Sequence, residues 1–270
     1  MERKHIVWNV ENINRLQDWF ATSAQHESNY FGYQVGDAIV YFCNYFIKDI
    51  HRCRVLDYGC GLGHIMKCFT EKKVHVWGVD MSQEAAKACR NRCKGSKYFH
   101  GVKVFNGQRL PYEDDYFDFI TCTECVEHIL PEHMDNLLLE LLRILKPGGR
   151  ILITTRNEEK LEESELLCPE CNTLFHRVGH VNWYSAESLT HLMEAHGFKT
   201  VMCHGTDFWQ FQKYLKHPPI LDMSIRQIYR QIKRYVFRLM DTHEGTLQSR
   251  IFKKNMNLNR EPNLFYVGGK

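Results

Sequence analysis

A chain of 270 residues, 44% hydrophobic and 25% charged, is long enough to bury one enlarged domain, and its formal net charge is +3. No run of eighteen apolar residues occurs, and Met1-Glu2-Arg3-Lys4-His5 leads into polar and aromatic sequence rather than an apolar signal core, so a cytoplasmic location is expected. The eleven cysteines are expected to be mostly reduced, with Cys43, Cys53, Cys68, Cys89 and Cys93 buried.

In chain order, residues 1–50 read as an N-terminal helical cap. Trp19-Phe20 and Asn29-Tyr30-Phe31-Gly32-Tyr33 flank a helix expected over residues 34–48, and they either close over a ligand or pack that helix onto the fold. Val55-Leu56-Asp57-Tyr58-Gly59-Cys60-Gly61-Leu62-Gly63-His64 then joins a short buried strand to a glycine-rich turn that opens a helix. Such turns serve nucleotide-type cofactors. An acid at Asp57 would repel a pyrophosphate and suits a cofactor with a cationic end.

Val74-His75-Val76-Trp77-Gly78-Val79-Asp80 is a second strand ending in an acid, where a carboxylate can hold ribose hydroxyls or cap the helix that starts near Ser82. Val102-Lys103-Val104-Phe105 is a third strand, followed by Asn106-Gly107-Gln108-Arg109-Leu110-Pro111-Tyr112. Phe117 to Cys122 is the fourth, and Leu145-Lys146-Pro147-Gly148-Gly149-Arg150-Ile151-Leu152-Ile153 gives a helix end, a turn and the fifth. A helix is expected from Ala186 to His196, a sixth strand over Phe198 to Cys203 and a seventh over Leu264 to Val267. Strands alternating with helices predict an α/β, Rossmann-like, doubly wound, seven-stranded and mostly parallel sheet with helices on both faces.

This ordered set resembles the class I S-adenosylmethionine-dependent methyltransferases, over about residues 50–205 and again in the last strand. The resemblance implies a methyltransferase core over 51–206, resumed at 259–270, with S-adenosylmethionine contacted by Asp57, Gly59, Cys60, Gly61, Gly63, Asp80, Met81, Asn106, Gly107, Gln108 and Thr123. Members commonly carry Asp where Asn106 stands. The Asn carbonyl can still accept the adenine amino group.

After the fourth strand comes Thr123-Glu124-Cys125-Val126-Glu127-His128-Ile129. If this segment is helical, Glu124, Glu127 and His128 share one face and form a divalent-metal half-site. The pattern resembles that of ubiquinone-pathway O-methyltransferases and of small-RNA 3′-terminal 2′-O-methyltransferases, which implies Mg2+ or another divalent metal completed by a later histidine, here His180. Such a metal would hold vicinal oxygens and activate the hydroxyl to be methylated. The alternative is that His128 acts as a metal-free general base beside Glu127.

Within the stretch 156–184, Cys168-Pro169-Glu170-Cys171 followed by His176 and His180 reads as a structural zinc site, with His180 as its fourth ligand or as a ligand of the carboxylate site. Residues 207–258 carry ten Lys or Arg against four Asp or Glu, a net of +6. Ile225, Ile228, Tyr229, Ile232, Val236 and Leu239 fall on one helical face, opposite Arg226, Arg230, Lys233, Arg234 and Arg238. This basic amphipathic stretch reads as a substrate lid, or as a peripheral membrane contact through 224–240. Its charge is modest for nucleic acid and no aromatic platform accompanies it.

The expected activity is methyl transfer to the hydroxyl of a small-molecule, sugar or lipid-linked acceptor, with His128, Glu127 and His180 carrying the chemistry. An RNA 2′-O-methyltransferase, or an inactive zinc-binding protein of the same fold, are the alternatives.

Overall fold

In a computed structural model, residues 3–47, 49–105, 109–216 and 262–270 are described. The elements are β1 (Lys4–His5), α1 (Val10–Thr22), α2 (Phe31–Phe46), β2 (Arg54–Tyr58), α3 (His64–Glu71), β3 (His75–Asp80), α4 (Gln83–Cys93), β4 (Phe99–Val104), β5 (Phe117–Thr123), α5 (Pro131–Ile144), β6 (Leu145–Arg156), β7 (Glu165–Leu167), β8 (Thr173–His176), α6 (Ala186–Ala195), β9 (Lys199–Thr206), α7 (Phe208–Lys216) and β10 (Asn263–Gly269). The third strand begins at Phe99, earlier than its apolar run suggested. The helix expected over 34–48 runs from Phe31 to Phe46.

Seven strands form one sheet in the order β4-β3-β2-β5-β6-β10-β9. Neighbours from β4 to β6 run parallel, and β10 is antiparallel to both β6 and β9. The sixth and seventh strands are therefore paired even though residues 207–258 lie between them in sequence. The central parallel strands β2 and β5 are buried on both faces, as helical crossovers require, while β4 at the sheet edge stays partly exposed.

Period-two alternation divides the side chains between two cores. Val55, Phe119, Leu152 and Phe265 pack with α2, α3, α4 and α7 on one face, while Leu56, Ile120, Ile151, Ile153, Leu264 and Tyr266 pack with α5 and α6 on the other. Each fully buried Leu, Ile or Phe contributes about 1.5–3 kcal/mol of transfer free energy. The two cores lock the strand register, because a one-residue slip would exchange them.

Local chemistry sets the helix ends around the strand tips. Gly63, at φ 79°, begins α3 directly from the glycine turn. Ser82 caps α4 by accepting from the Ala85 amide, and Pro131 opens α5, where its missing N–H costs nothing. Helix α2 is kinked at Val35 (φ −131°), and the Ala38 amide donates to Gln212 Oε1 of α7 at 2.8 Å. That bond fastens the cap to the start of the basic segment. Residues 217–261 lie outside the described residues, and so does the expected amphipathic helix at 224–240.

A small second sheet, β1-β8-β7, joins the N-terminus to the 156–184 stretch. Lys4 and His5 of β1 pair in parallel with Thr173 and Leu174 of β8, which forms an antiparallel hairpin with β7. Among the described residues no helix is long and apolar enough to cross a membrane.

Candidate functional site

The strand tips of β2, β3 and β5 open on one cavity, roofed by α1 and the start of α2. Asp57 is 1% exposed. Its Oδ1 accepts from the Thr121 hydroxyl at 2.8 Å, whereas its Oδ2 is buried with no hydrogen-bond partner among the described residues. Burial, partly countered by the Thr121 hydroxyl and reinforced by Asp80, pushes this carboxyl up to about 7. A buried carboxylate oxygen with nothing to bind calls for a cationic or hydrogen-bonding ligand.

The glycines of the turn are required for different reasons. A Cβ on Gly59 would stand 2.6 Å from Cys125 Sγ, and one on Gly63 would stand 2.4 Å from Cys89 Sγ. Gly61, at φ 50°, faces the Tyr30 ring, 3.5 Å from where its Cβ would be, so a side chain there would enter the cavity. Its amide donates to Asp80 Oδ2 at 2.7 Å, and the Ser82 amide donates to Oδ1 at 2.9 Å. Asp80 is thus fixed at the end of β3, with burial raising its pKa. Asp80 thus takes part in capping α4 through the Ser82 amide, and it also lines the cavity.

Of the residues that the resemblance implied for the cofactor, Asp57, Gly59, Cys60, Gly61, Asp80, Met81 and Thr123 line this cavity. Gly63 acts behind it, and Asn106, Gly107 and Gln108 lie outside the described residues. Composition gave no sign of the lining supplied by Ile13, Asn14 and Gln17 of α1. The capping aromatics divide: Tyr30 joins the cavity, while Trp19 stays 49% exposed against Phe20 and His26.

A second group of polar side chains adjoins the cavity at His128. The expected helix over 124–128 is not formed. Glu124 takes φ 46°, its amide bonds back to the Thr154 carbonyl at 2.9 Å, and only a 3-10 turn from Val126 to His128 follows. Glu124 therefore does not share a face with Glu127 and His128. It lines the cavity at the strand tips instead, accepting from Asn263 Nδ2 at 3.0 Å, with burial pushing its carboxyl up to about 7.

Glu127 and His128 meet His180, and the ligand atoms of these three lie within 4.8 Å of one another. The amides of Val181 and Asn182 donate to the Glu127 carbonyl, which ties the 3-10 turn to the loop carrying His180. Glu127 is 1% exposed; its Oε2 accepts from the Thr155 hydroxyl at 2.9 Å and its Oε1 has no hydrogen-bond partner among the described residues. Burial and Glu124 raise its pKa well above the carboxylate range. His128 Nδ1 lies 3.1 Å from the Gly179 carbonyl, so it carries the proton and leaves Nε2 with its lone pair. Burial and the adjoining His180 bring the His128 pKa down to about 3, which keeps the imidazole neutral.

The expected zinc set is not assembled. Among the described residues, Cys168 and Cys171 belong to no group of three potential ligands. They occupy the β7–β8 turn, where Cys171 is exposed and its thiol contacts Thr173 Oγ1 at 3.2 Å. His176 and His180 face inward instead and meet Glu159, a residue that the sequence pattern did not single out. The turn has the chain running away from the two histidines, so short sequence spacing did not become proximity.

Comparison with known proteins adds a family model, described as a methyltransferase domain, which matches residues 11–202. The ubiquinone/menaquinone biosynthesis C-methyltransferase UbiE of Vibrio vulnificus is 34% identical over 105 residues, 37% of this chain and 40% of that protein. The chloroplastic tocopherol O-methyltransferase of Arabidopsis thaliana is 28% identical over 162 residues, 56% of this chain and 45% of that protein. The matches thus span less than half the length of these relatives. Among solved structures, a chain of the complex between the Haloferax volcanii Trm112 methyltransferase activator and a putative methyltransferase is similar at TM-score 0.58 and 16% identity, covering 94% of this chain and 96% of that one. Phosphoethanolamine N-methyltransferase 2 of Haemonchus contortus, solved with S-adenosyl-L-methionine, gives TM-score 0.56 at 17% identity, over 95% of this chain and 56% of that one. At such identities these structures speak to the fold alone.

Proposed function

The chain belongs to the class I S-adenosylmethionine-dependent methyltransferases, and on that premise we propose that it methylates a hydroxyl that has a second oxygen beside it, on a small-molecule, sugar or lipid-linked acceptor. The observation that carries this reading is Glu127 Oε1, a buried carboxylate oxygen without a hydrogen-bond partner among the described residues, next to two neutral imidazoles. Buried charge is stable only when paired, and a divalent cation between one carboxylate and two imidazole nitrogens supplies the pairing.

S-adenosylmethionine supplies a methyl group on a sulfonium centre. In the cavity, Asp57 Oδ2 offers an acceptor to its cationic end, and Asp80 lies at the strand tip where ribose hydroxyls are held. A metal held by Glu127, His128 and His180 would draw in the neighbouring oxygens and lower the pKa of the acceptor hydroxyl. His128 is common to both parts, lining the cavity and belonging to the group with Glu127 and His180. Its Nδ1 is tied to the Gly179 carbonyl while its ligand nitrogen lies among those of Glu127 and His180, an arrangement that favours the metal-assisted form over the metal-free one. The neutral imidazoles also fit nitrogen-preferring cations such as Zn2+ or Mn2+ as well as Mg2+.

The test is transfer of labelled methyl from S-adenosylmethionine to catechol-type and sugar diols, with and without chelator. Metal-dependent labelling of diols but not of the corresponding mono-ols is expected. Labelling at carbon, or unchanged labelling in chelator and in Glu127→Gln, would overturn it. Labelling confined to RNA 3′ ends would move the acceptor to nucleic acid.

A further inference from the structure

His180 Nδ1 is hydrogen-bonded to Glu159 Oε2, so its proton is held on that side and its Nε2 carries the lone pair, 4.0 Å from Glu127 Oε1. The other carboxylate oxygen, Glu159 Oε1, lies 3.7 Å from His176 Nε2. His176 Nδ1 in turn accepts the backbone amide of His180 at 3.0 Å. An acceptor at Nδ1 places the proton of neutral His176 on Nε2, on the side of Glu159 but without a hydrogen-bond partner among the described residues. The two rings stack with centroids 4.6 Å apart and planes at 22°, and His176 is 4% exposed.

This assignment resolves an ambiguity in the cluster. Glu159, His176 and His180 also lie close enough to hold a cation, sharing His180 with the first group. A histidine whose Nδ1 is occupied by an amide and whose Nε2 is protonated offers no lone pair, so His176 cannot ligate in this arrangement. His180 can serve one centre only, through Nε2.

We propose that Glu159 and His176 are positioning residues for a metal centre at Glu127, His128 and His180, fixing the ring of His180 so that Nε2 points at Glu127. The inference rests on the metal reading above and deepens it. His128 has the same design with a simpler partner, its Nδ1 tied to the Gly179 carbonyl. Carboxylate or carbonyl oxygens behind each ligating imidazole orient the ring and raise its basicity. His176 closes β8, whose neighbours are β7 and the N-terminal strand β1, so this small sheet acquires a role in setting the centre.

The experiment is titration of the full-length protein with Co2+, read by its visible d–d absorption, for wild type, Glu159→Ala, Glu159→Gln and His176→Gln. Glu159→Ala is expected to weaken Co2+ binding by about 10–100-fold and to shift the absorption band as the His180 ring loosens. Glu159→Gln is expected to recover part of the affinity, because its amide oxygen still accepts from His180 Nδ1. Binding of S-adenosylhomocysteine checks that each variant is folded; should Glu159→Ala fail that check, the Gln variants carry the comparison. Wild-type affinity and spectrum in the folded Glu159 and His176 variants would overturn the positioning role and leave the centre standing. No Co2+ binding by wild type would overturn the centre itself, and this inference with it.

Discussion

The imidazole of His180 stands edge-on to that of His128, with ring centroids 4.7 Å apart and planes at 74°. These residues are 52 positions apart in the chain. Their approach depends on the Glu127 carbonyl, which accepts from the amides of Val181 and Asn182, and on Asn182 Nδ2, which donates to the Ile129 carbonyl at 2.5 Å. The cavity and the Glu127–His128–His180 cluster therefore meet at His128, which closes the short turn at Val126–His128.

Glu127→Gln should abolish metal binding while making the metal-free protein more stable. The folded-state pKa of Glu127 is raised, so at neutral pH the unfolded chain is ionised more readily than the folded one, which favours unfolding. The neutral Gln side chain carries no such cost, so the metal-free variant should unfold at a higher denaturant concentration. Denaturant unfolding with and without Co2+ measures both effects, and a destabilised variant would contradict the assignment of a cation site.

Binding of S-adenosylhomocysteine should weaken as pH falls below about 7, the value to which burial brings Asp57. Affinity falls by about tenfold per unit there and is level above pH 8. The sign for stability is opposite: between about 4 and 7 the unfolded chain has already lost the proton that the folded chain keeps, so the ligand-free protein loses stability as pH rises through that window. Calorimetry across pH checks the first effect, and Asp57→Asn should flatten the profile.

Gly61→Val should leave a folded protein that does not bind the cofactor. The new side chain enters the cavity opposite Tyr30, at a φ of 50° that disfavours a β-branched residue by about 1–2 kcal/mol. Circular dichroism reports the fold and calorimetry the loss, and retained affinity would remove the turn from the binding site.

Arg92 links the cap to the cofactor loop, donating to the Leu62 carbonyl at 2.7 Å and to Glu27 Oε1 at 2.5 Å. Arg92→Ala should weaken cofactor binding by about tenfold, the worth of one charge-assisted hydrogen bond. Faster proteolysis within 24–30 should accompany it.

Cys168→Ser with Cys171→Ser should leave the melting midpoint and the bound Co2+ unchanged, because neither thiol belongs to the Glu127 group. Loss of metal or of folding in that double variant would restore the cysteine knuckle as a zinc site.

What the sequence by itself determined is the succession of strands and helices, the glycine turn, and the acids at Asp57 and Asp80; that the last two strands pair across the insertion came from the tertiary structure. The former are local in origin: period-two apolar runs, glycines where a Cβ would collide, and acids directly at strand ends. Only the tertiary structure decided which oxygens and nitrogens meet. Glu124 looked like a ligand by helical spacing, but its left-handed φ and its bonds to Thr154 and Asn263 turn it into the cofactor cavity. Glu159 carried no pattern at all, and reached His180 because the loop after β6 folds back on the β7–β8 hairpin. Sequence spacing fixes proximity only within one regular element; across loops, the backbone path and the demand of buried polar atoms for partners choose the neighbours.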